Sequence, residues 1–205
     1  MGMESSREVE FSSAKYWQSR YERGGTSGIG SYGKLAEFKA EVINDFIKRH
    51  KIKSVLDLGC GDGNQASLLD VDRYLGLDVS EEAIDICVRK FNGDFSRKFA
   101  LYQLPFIYSV DMSMSLDVIF HLVEDGVYKQ YMKDLFRCSR RFVCVYSSNT
   151  NTQVERQGEH MKQRRFTDDV DDRWKLIEKV PNKYPYNPTD GSGSLADFYF
   201  FQRNV

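Results

Sequence analysis

Three glycines at alternate positions, Gly59, Gly61 and Gly63, follow directly on a run from Ser54 to Leu58 that is apolar but for Asp57. A main chain without side chains can approach a ligand closely, and a Cβ at Gly59 or Gly61 would hold it off. The apolar, β-branched run reads as a buried parallel strand, and Gln65-Ala66-Ser67-Leu68-Leu69 as the first turns of a helix. Strand, glycine turn and helix N-terminus together offer unpaired N–H groups to a nucleotide-like ligand. About twenty residues past the glycines, a second short strand ends in Asp78, placed to accept hydrogen bonds from both hydroxyls of a ribose. Ser80 then caps a helix from Glu81 to Phe91.

The acid at Asp57 separates two cofactor chemistries. Dinucleotide sites want G-x-G-x-x-G, and here Gly59-x-Gly61-x-Gly63 is followed by Asn64, so the third glycine is missing. An acid is awkward beside a pyrophosphate and welcome beside a cation, such as the sulfonium and ammonium of S-adenosylmethionine. Val55-Leu56-Asp57-Leu58-Gly59-Cys60-Gly61-Asp62-Gly63 resembles motif I of the class I S-adenosylmethionine-dependent methyltransferases, and Gly76-Leu77-Asp78-Val79-Ser80 resembles their motif II. Ser115 to Leu122 resembles their fourth-strand motif, and flanking stretches from Ala14 to Phe201 resemble a group of small, mostly bacterial, stand-alone members.

The resemblance implies a Rossmann-like α/β fold with a seven-stranded, mostly parallel sheet and helices on both faces. It also implies S-adenosylmethionine as cofactor and S-adenosylhomocysteine as product. Gly59, Cys60, Gly61, Asn64, Asp78 and Val79 then join Asp57 in the cofactor site. The backbone around Leu116 lines the methionine half, and Asp117 either holds its ammonium or caps the strand end. One departure concerns the adenine: the acid that often ends the third strand is missing at Leu101-Tyr102-Gln103, leaving Gln103 to serve.

The 205 residues suffice for one α/β domain, with 41% hydrophobic and 29% charged side chains, as in ordinary globular proteins. A formal net charge of -1 gives no general field for polyanions. Cys60, Cys87, Cys138 and Cys144 lack C-x-x-C spacing and read as reduced, packed thiols of a cytoplasmic protein. No run approaches membrane-spanning length, and no metal site is expected.

The elements that must position this chemistry follow in order. After a polar start, Ser13 to Tyr21 has helical spacing with Trp17 and Tyr21 on one face. Trp17 is placed to cover the cofactor by cation–π attraction, and Arg20 to pair with its carboxylate. The Gly-Ser stretch 24–33 reads as a lid closing over ligand, and residues 1–34 form one unit with it. A helix from Leu35 to Arg49 packs on the sheet through Phe38, Val42 and Phe46. Strands follow at 98–103, 111–118 and 141–147, with a helix from Val127 to Cys138 between the last two. Thr167 caps a short helix through Asp172, and strands at 174–180 and 196–202 close the sheet.

Methyl transfer is an in-line displacement, so holding nucleophile, carbon and sulfur in line supplies most of the rate. A base is needed only for an acceptor that is protonated at working pH. His160, in a segment near 150–170 that covers the acceptor site, is the first candidate and His121 the second; Tyr184 would orient the acceptor. Three readings stay open. One is a methyltransferase acting on oxygen or nitrogen of a small molecule, such as a sugar or surface-polymer precursor. Another is an RNA or cap methyltransferase, supported only by Lys162, Arg164 and Arg165. The last is a non-catalytic protein that binds cofactor or a partner. Acceptor and oligomeric state are not legible.

Overall fold

The computed structural model describes residues 11–103, 108–154 and 157–204. The polar start expected ahead of Ser13 lies outside these for its first ten positions, as do positions 155 and 156 of the segment near 150–170. Chain order gives α1 (Ser13–Glu22), α2 (Gly33–His50), β1 (Ser54–Leu58), β2 (Arg73–Asp78), α3 (Glu81–Lys90) and β3 (Arg97–Leu101). Then come β4 (Val110–Leu116), α4 (Asp125–Arg137), β5 (Ser139–Ser147), β6 (Trp174–Val180) and β7 (Asp197–Arg203).

The strands form one seven-stranded sheet in the order β3-β2-β1-β4-β5-β7-β6. Pairs from β3 through β5 are parallel, and β7 runs antiparallel to both β5 and β6. The Rossmann-like, mostly parallel sheet expected from the motifs is therefore present, with its C-terminal strand pair. β1 and β4 are buried along their whole length, as strands covered on both faces must be. On one face, Phe38, Ile43 and Phe46 of α2 pack against Phe142, Phe198 and Phe200. On the other, Tyr128, Met132 and Leu135 of α4 pack against Val143, Val145 and Phe201. The order reverses at β1/β4, where the loops leaving the two carboxyl ends diverge and open a crevice.

Two local expectations are corrected. The helix anticipated from Gln65 is a single 3-10 turn, Gln65–Leu68. Asn44 of α2 ends it by donating from Nδ2 to the Leu68 carbonyl (2.9 Å) and accepting at Oδ1 from the Asp70 N–H (2.8 Å), groups a longer helix would need. The helix anticipated from Thr167 is likewise a 3-10 turn, Phe166–Asp169. Its caps are not Thr167, whose hydroxyl and N–H turn to the Asn149 side chain. Ser80 does cap α3, accepting from Ala83 N–H at 3.3 Å. All four cysteines are buried free thiols. Among the described residues, no helix is long and apolar enough to cross a membrane.

Candidate active site

β1 leaves the sheet through Gly59 (φ 89°) and Gly61 (φ 56°), left-handed conformations that L side chains rarely adopt. Gly59 and Cys60 N–H both donate to the Leu77 carbonyl, at 2.7 and 3.0 Å, which pins the turn to the end of β2. The reason for glycine differs from the expected one. A Cβ on Gly59 would strike the Val118 side chain, and one on Gly61 the Ser27 hydroxyl, so neighbouring protein already excludes side chains there.

Asp78 stands at the end of β2, buried, and accepts from Gly61 N–H (2.9 Å) and Ser80 N–H (3.0 Å). Burial raises its pKa above the usual carboxylate range while these backbone donors oppose the rise. Asp57 lies inside β1 rather than in the turn, and takes a 2.6 Å hydrogen bond from the Tyr74 hydroxyl at Oδ2. Its Oδ1 is buried without a partner. Burial pushes the carboxyl to about 7, against the donation from Tyr74 and the charge of Lys39.

Lys39, assigned no site role from sequence, borders the same cavity from α2 and is 1% exposed. Its Nζ lies 2.7 Å from Asp117 Oδ2 and 5.4 Å from the Tyr146 ring centroid. An ammonium so far from water is tolerable only beside a counter-charge. The available signal was a lysine at the apolar spacing Leu35, Lys39, Ile43. Asp117 itself is left-handed (φ 60°), with its N–H donating to the Tyr146 carbonyl at 2.9 Å.

The stretch 24–33 lies on the glycine turn through Asp62, a second residue the sequence reading did not single out. Asp62 Oδ2 accepts from Ser27 N–H (2.9 Å) and the Tyr32 hydroxyl (2.7 Å). Ser27 Oγ in turn accepts from Asp62 N–H (3.0 Å) and shares a 2.8 Å hydrogen bond with the Tyr21 hydroxyl. Burial alone would raise the Asp62 pKa, but donors from Ser27, Tyr32 and Asn64 hold it below the usual range.

His121, which borders the cavity, follows β4 in a 3-10 turn, Ile119–His121. The segment 157–165 is stitched to that turn: Lys162 N–H donates to the Phe120 carbonyl (2.8 Å), and Arg164 to those of Leu122 and Val123 (3.0 Å each).

Of the residues picked out by sequence, Trp17, Asp57, Gly59, Cys60, Gly61, Asp78, Val79, Leu116, Asp117 and His121 border one cavity. Arg20, Asn64, His160 and Tyr184 do not. Arg20 donates to the Thr26 carbonyl (2.7 Å) with its guanidinium over Trp17, and Asn64 donates to the Ser31 carbonyl (2.7 Å). Tyr184 packs on Phe38. His160 stacks on His121, and of the two imidazoles only that of His121 borders the cavity. Gln103 is exposed, and Tyr102 borders the cavity in its place, its hydroxyl donating to Asp134 at 2.8 Å.

Residues 55–141 match a sequence family described as a methyltransferase domain. No match is found among curated proteins. Among solved structures, the methyltransferase domain of bacterial CtHen1-C is similar, at 19% identity and a TM-score of 0.64, covering 84% of this chain and 100% of that one. Magnesium protoporphyrin IX methyltransferase (ChlM) from Synechocystis PCC 6803, solved with bound SAM, has 12% identity and a TM-score of 0.65, with 96% and 100% covered. The N-methyltransferase NodS from Bradyrhizobium japonicum WM9 has 12% identity and a TM-score of 0.65, with 84% and 98% covered. At such identities the likeness is one of fold.

Proposed function

We propose that the chain is a class I S-adenosylmethionine-dependent methyltransferase, a reading supported by the methyltransferase-domain match over residues 55–141, and that it transfers the methyl group to an oxygen or nitrogen of a small molecule bound in the cavity beside Trp17 and His121. S-Adenosylmethionine supplies an electrophilic methyl carbon on a positively charged sulfur. The observation that carries the reading is the cavity floor: a buried, unpartnered Asp57 oxygen beside the Lys39–Asp117 ion pair. That set of charges matches a zwitterionic amino-acid end, with the ammonium to the acids and the carboxylate to Lys39. Lys39 takes the role expected of Arg20, whose Nε is already committed to Thr26. The glycine turn and Asp78 serve the adenosine half.

The chain's own contribution to the reaction is positioning. Trp17 and His121 wall the cavity, and α1 with the stretch 24–33 excludes water from above. A polyanionic acceptor finds little support, because Lys162 and Arg164 are both paired with Asp125, at 2.7 and 2.8 Å. Calorimetry with S-adenosylhomocysteine tests the reading. The wild-type protein should bind it, and Asp78→Ala should abolish binding in a chain that still melts cooperatively. A folded wild-type protein that takes up neither S-adenosylmethionine nor S-adenosylhomocysteine would refute it.

A further inference from the structure

His121 is held by three rings, those of His160, Trp17 and Phe120, the last at 4.6 Å. The His160 ring stacks on it at 5.3 Å with an interplanar angle of 12°. Tyr16 stacks on His160 in turn, at 4.5 Å and 8°, while Trp17 meets His121 edge-on at 4.9 Å. Gly158 makes room for this stack, since a Cβ there would run into the His160 ring. His121 Nδ1 lies 3.1 Å from the His160 main-chain oxygen. A carbonyl oxygen only accepts, so Nδ1 must carry the hydrogen, and Nε2 keeps its lone pair. Nε2 has no hydrogen-bond partner among the described residues, and the ring borders the cavity.

The surrounding charges favour an uncharged acceptor. The acids flanking His121 along the chain are already engaged. Asp117 is paired with Lys39, Glu124 accepts from both the N–H and the hydroxyl of Ser13, and Asp125 is paired with Lys162 and Arg164. Arg20 and the donor's own positive sulfur add repulsion toward an ammonium. Burial, with Arg20 and His160 nearby, lowers the His121 pKa to about 4, so the ring is neutral at physiological pH. A neutral imidazole with a free lone pair can accept the hydroxyl hydrogen and take the proton late, once the oxygen has begun to bond to the methyl carbon and its proton has become strongly acidic.

We propose that His121 is a catalytic residue that takes the proton of a hydroxyl acceptor at Nε2, with Tyr16 and His160 as positioning residues that hold its ring. This rests on the methyl-transfer reading above. In the step, the acceptor oxygen forms a bond to the methyl carbon as the carbon–sulfur bond breaks, its electron pair passing to sulfur. The hydroxyl proton moves to Nε2, and the resulting imidazolium returns it to solvent.

Two measurements test this. Nitrogen-15 NMR of the free protein should show His121 as the Nδ1–H tautomer with a bare Nε2; a proton on Nε2 overturns the proposal. Transfer of labelled methyl from S-adenosylmethionine should then be compared across alcohols (methyl glucoside, glycerol, catechol) and amines (glucosamine, ethanolamine, tyramine). Label should enter oxygen, and His121→Asn should cut transfer about 10²–10⁴-fold while S-adenosylhomocysteine affinity holds within about twofold. His160→Phe, which keeps ring and carbonyl, should retain most of the turnover that His160→Ala loses. Amines labelled in preference, no label in any alcohol, an undiminished His121→Asn protein, or a His160→Phe protein as slow as His160→Ala each overturn it. Failure of the wild-type protein to bind S-adenosylhomocysteine instead removes the methyl-transfer reading beneath it.

Discussion

Lys39 and Asp57 bring charge, or the capacity for it, to places where water scarcely reaches. The Lys39 ammonium is held by a single carboxylate 2.7 Å away, and it retains donors for a second anion. Replacing it should therefore discriminate between two ligands. Lys39→Met is expected to weaken S-adenosylhomocysteine about 10–100-fold, the worth of one charge-assisted hydrogen bond, and to leave 5′-methylthioadenosine, which lacks the amino-acid end, unchanged by calorimetry. Asp57 gives a pH signature. Its folded pKa is about 7, raised by burial from an ordinary unfolded value near 4. The cost of a buried anion is absent below the lower value, grows between the two, and is complete above the upper, where it is on the order of 4 kcal/mol. Asp57→Asn should thus raise Tm at pH 8, with the gain shrinking toward pH 5 in parallel melts. The motif residues were legible because local spacing specifies them; Lys39 and Asp62 were not, because their partners Asp117, Ser27 and Tyr32 are distant in sequence.

Among the elements, the glycine-rich stretch 24–33 is the one whose chemistry the tertiary contacts explain best. Its flexibility is offset by Asp62, which gathers donors from Ser27 and Tyr32, and by Asn64, which donates to Ser31. If it closes over the cofactor, Asp62→Ala should speed release of S-adenosylhomocysteine at least about tenfold in stopped-flow, as the charge-assisted bonds are lost. Amide exchange across 24–33 should quicken in the same variant. Strands and long helices were readable from apolar periodicity and from caps such as Ser80. The short helices were misread where side chains from elsewhere intervened: Asn44 takes the backbone groups beyond Leu68, and Asn149 takes Thr167.

For the whole molecule, the two helical layers are tied to the sheet by aromatic contacts. Phe46 of α2 is fully buried and stacks on Phe200 of β7 at 4.0 Å, joining an early helix to the last strand. Phe46→Ala should cost about 3–5 kcal/mol, read as a lower urea midpoint with an unchanged slope. The strand–glycine–acid order was legible in the sequence because it rests on residues within one βαβ unit, and the mostly parallel sheet because apolar strands alternate with helical spacing along the chain. Which imidazole faces the cavity, which cation lies beside Asp117 and what holds 24–33 in place were decided only by the tertiary structure. Those depend on α1, α2 and the segment 157–165 converging on the ends of β1 and β4, and long-range packing of that kind leaves no periodic mark in the chain.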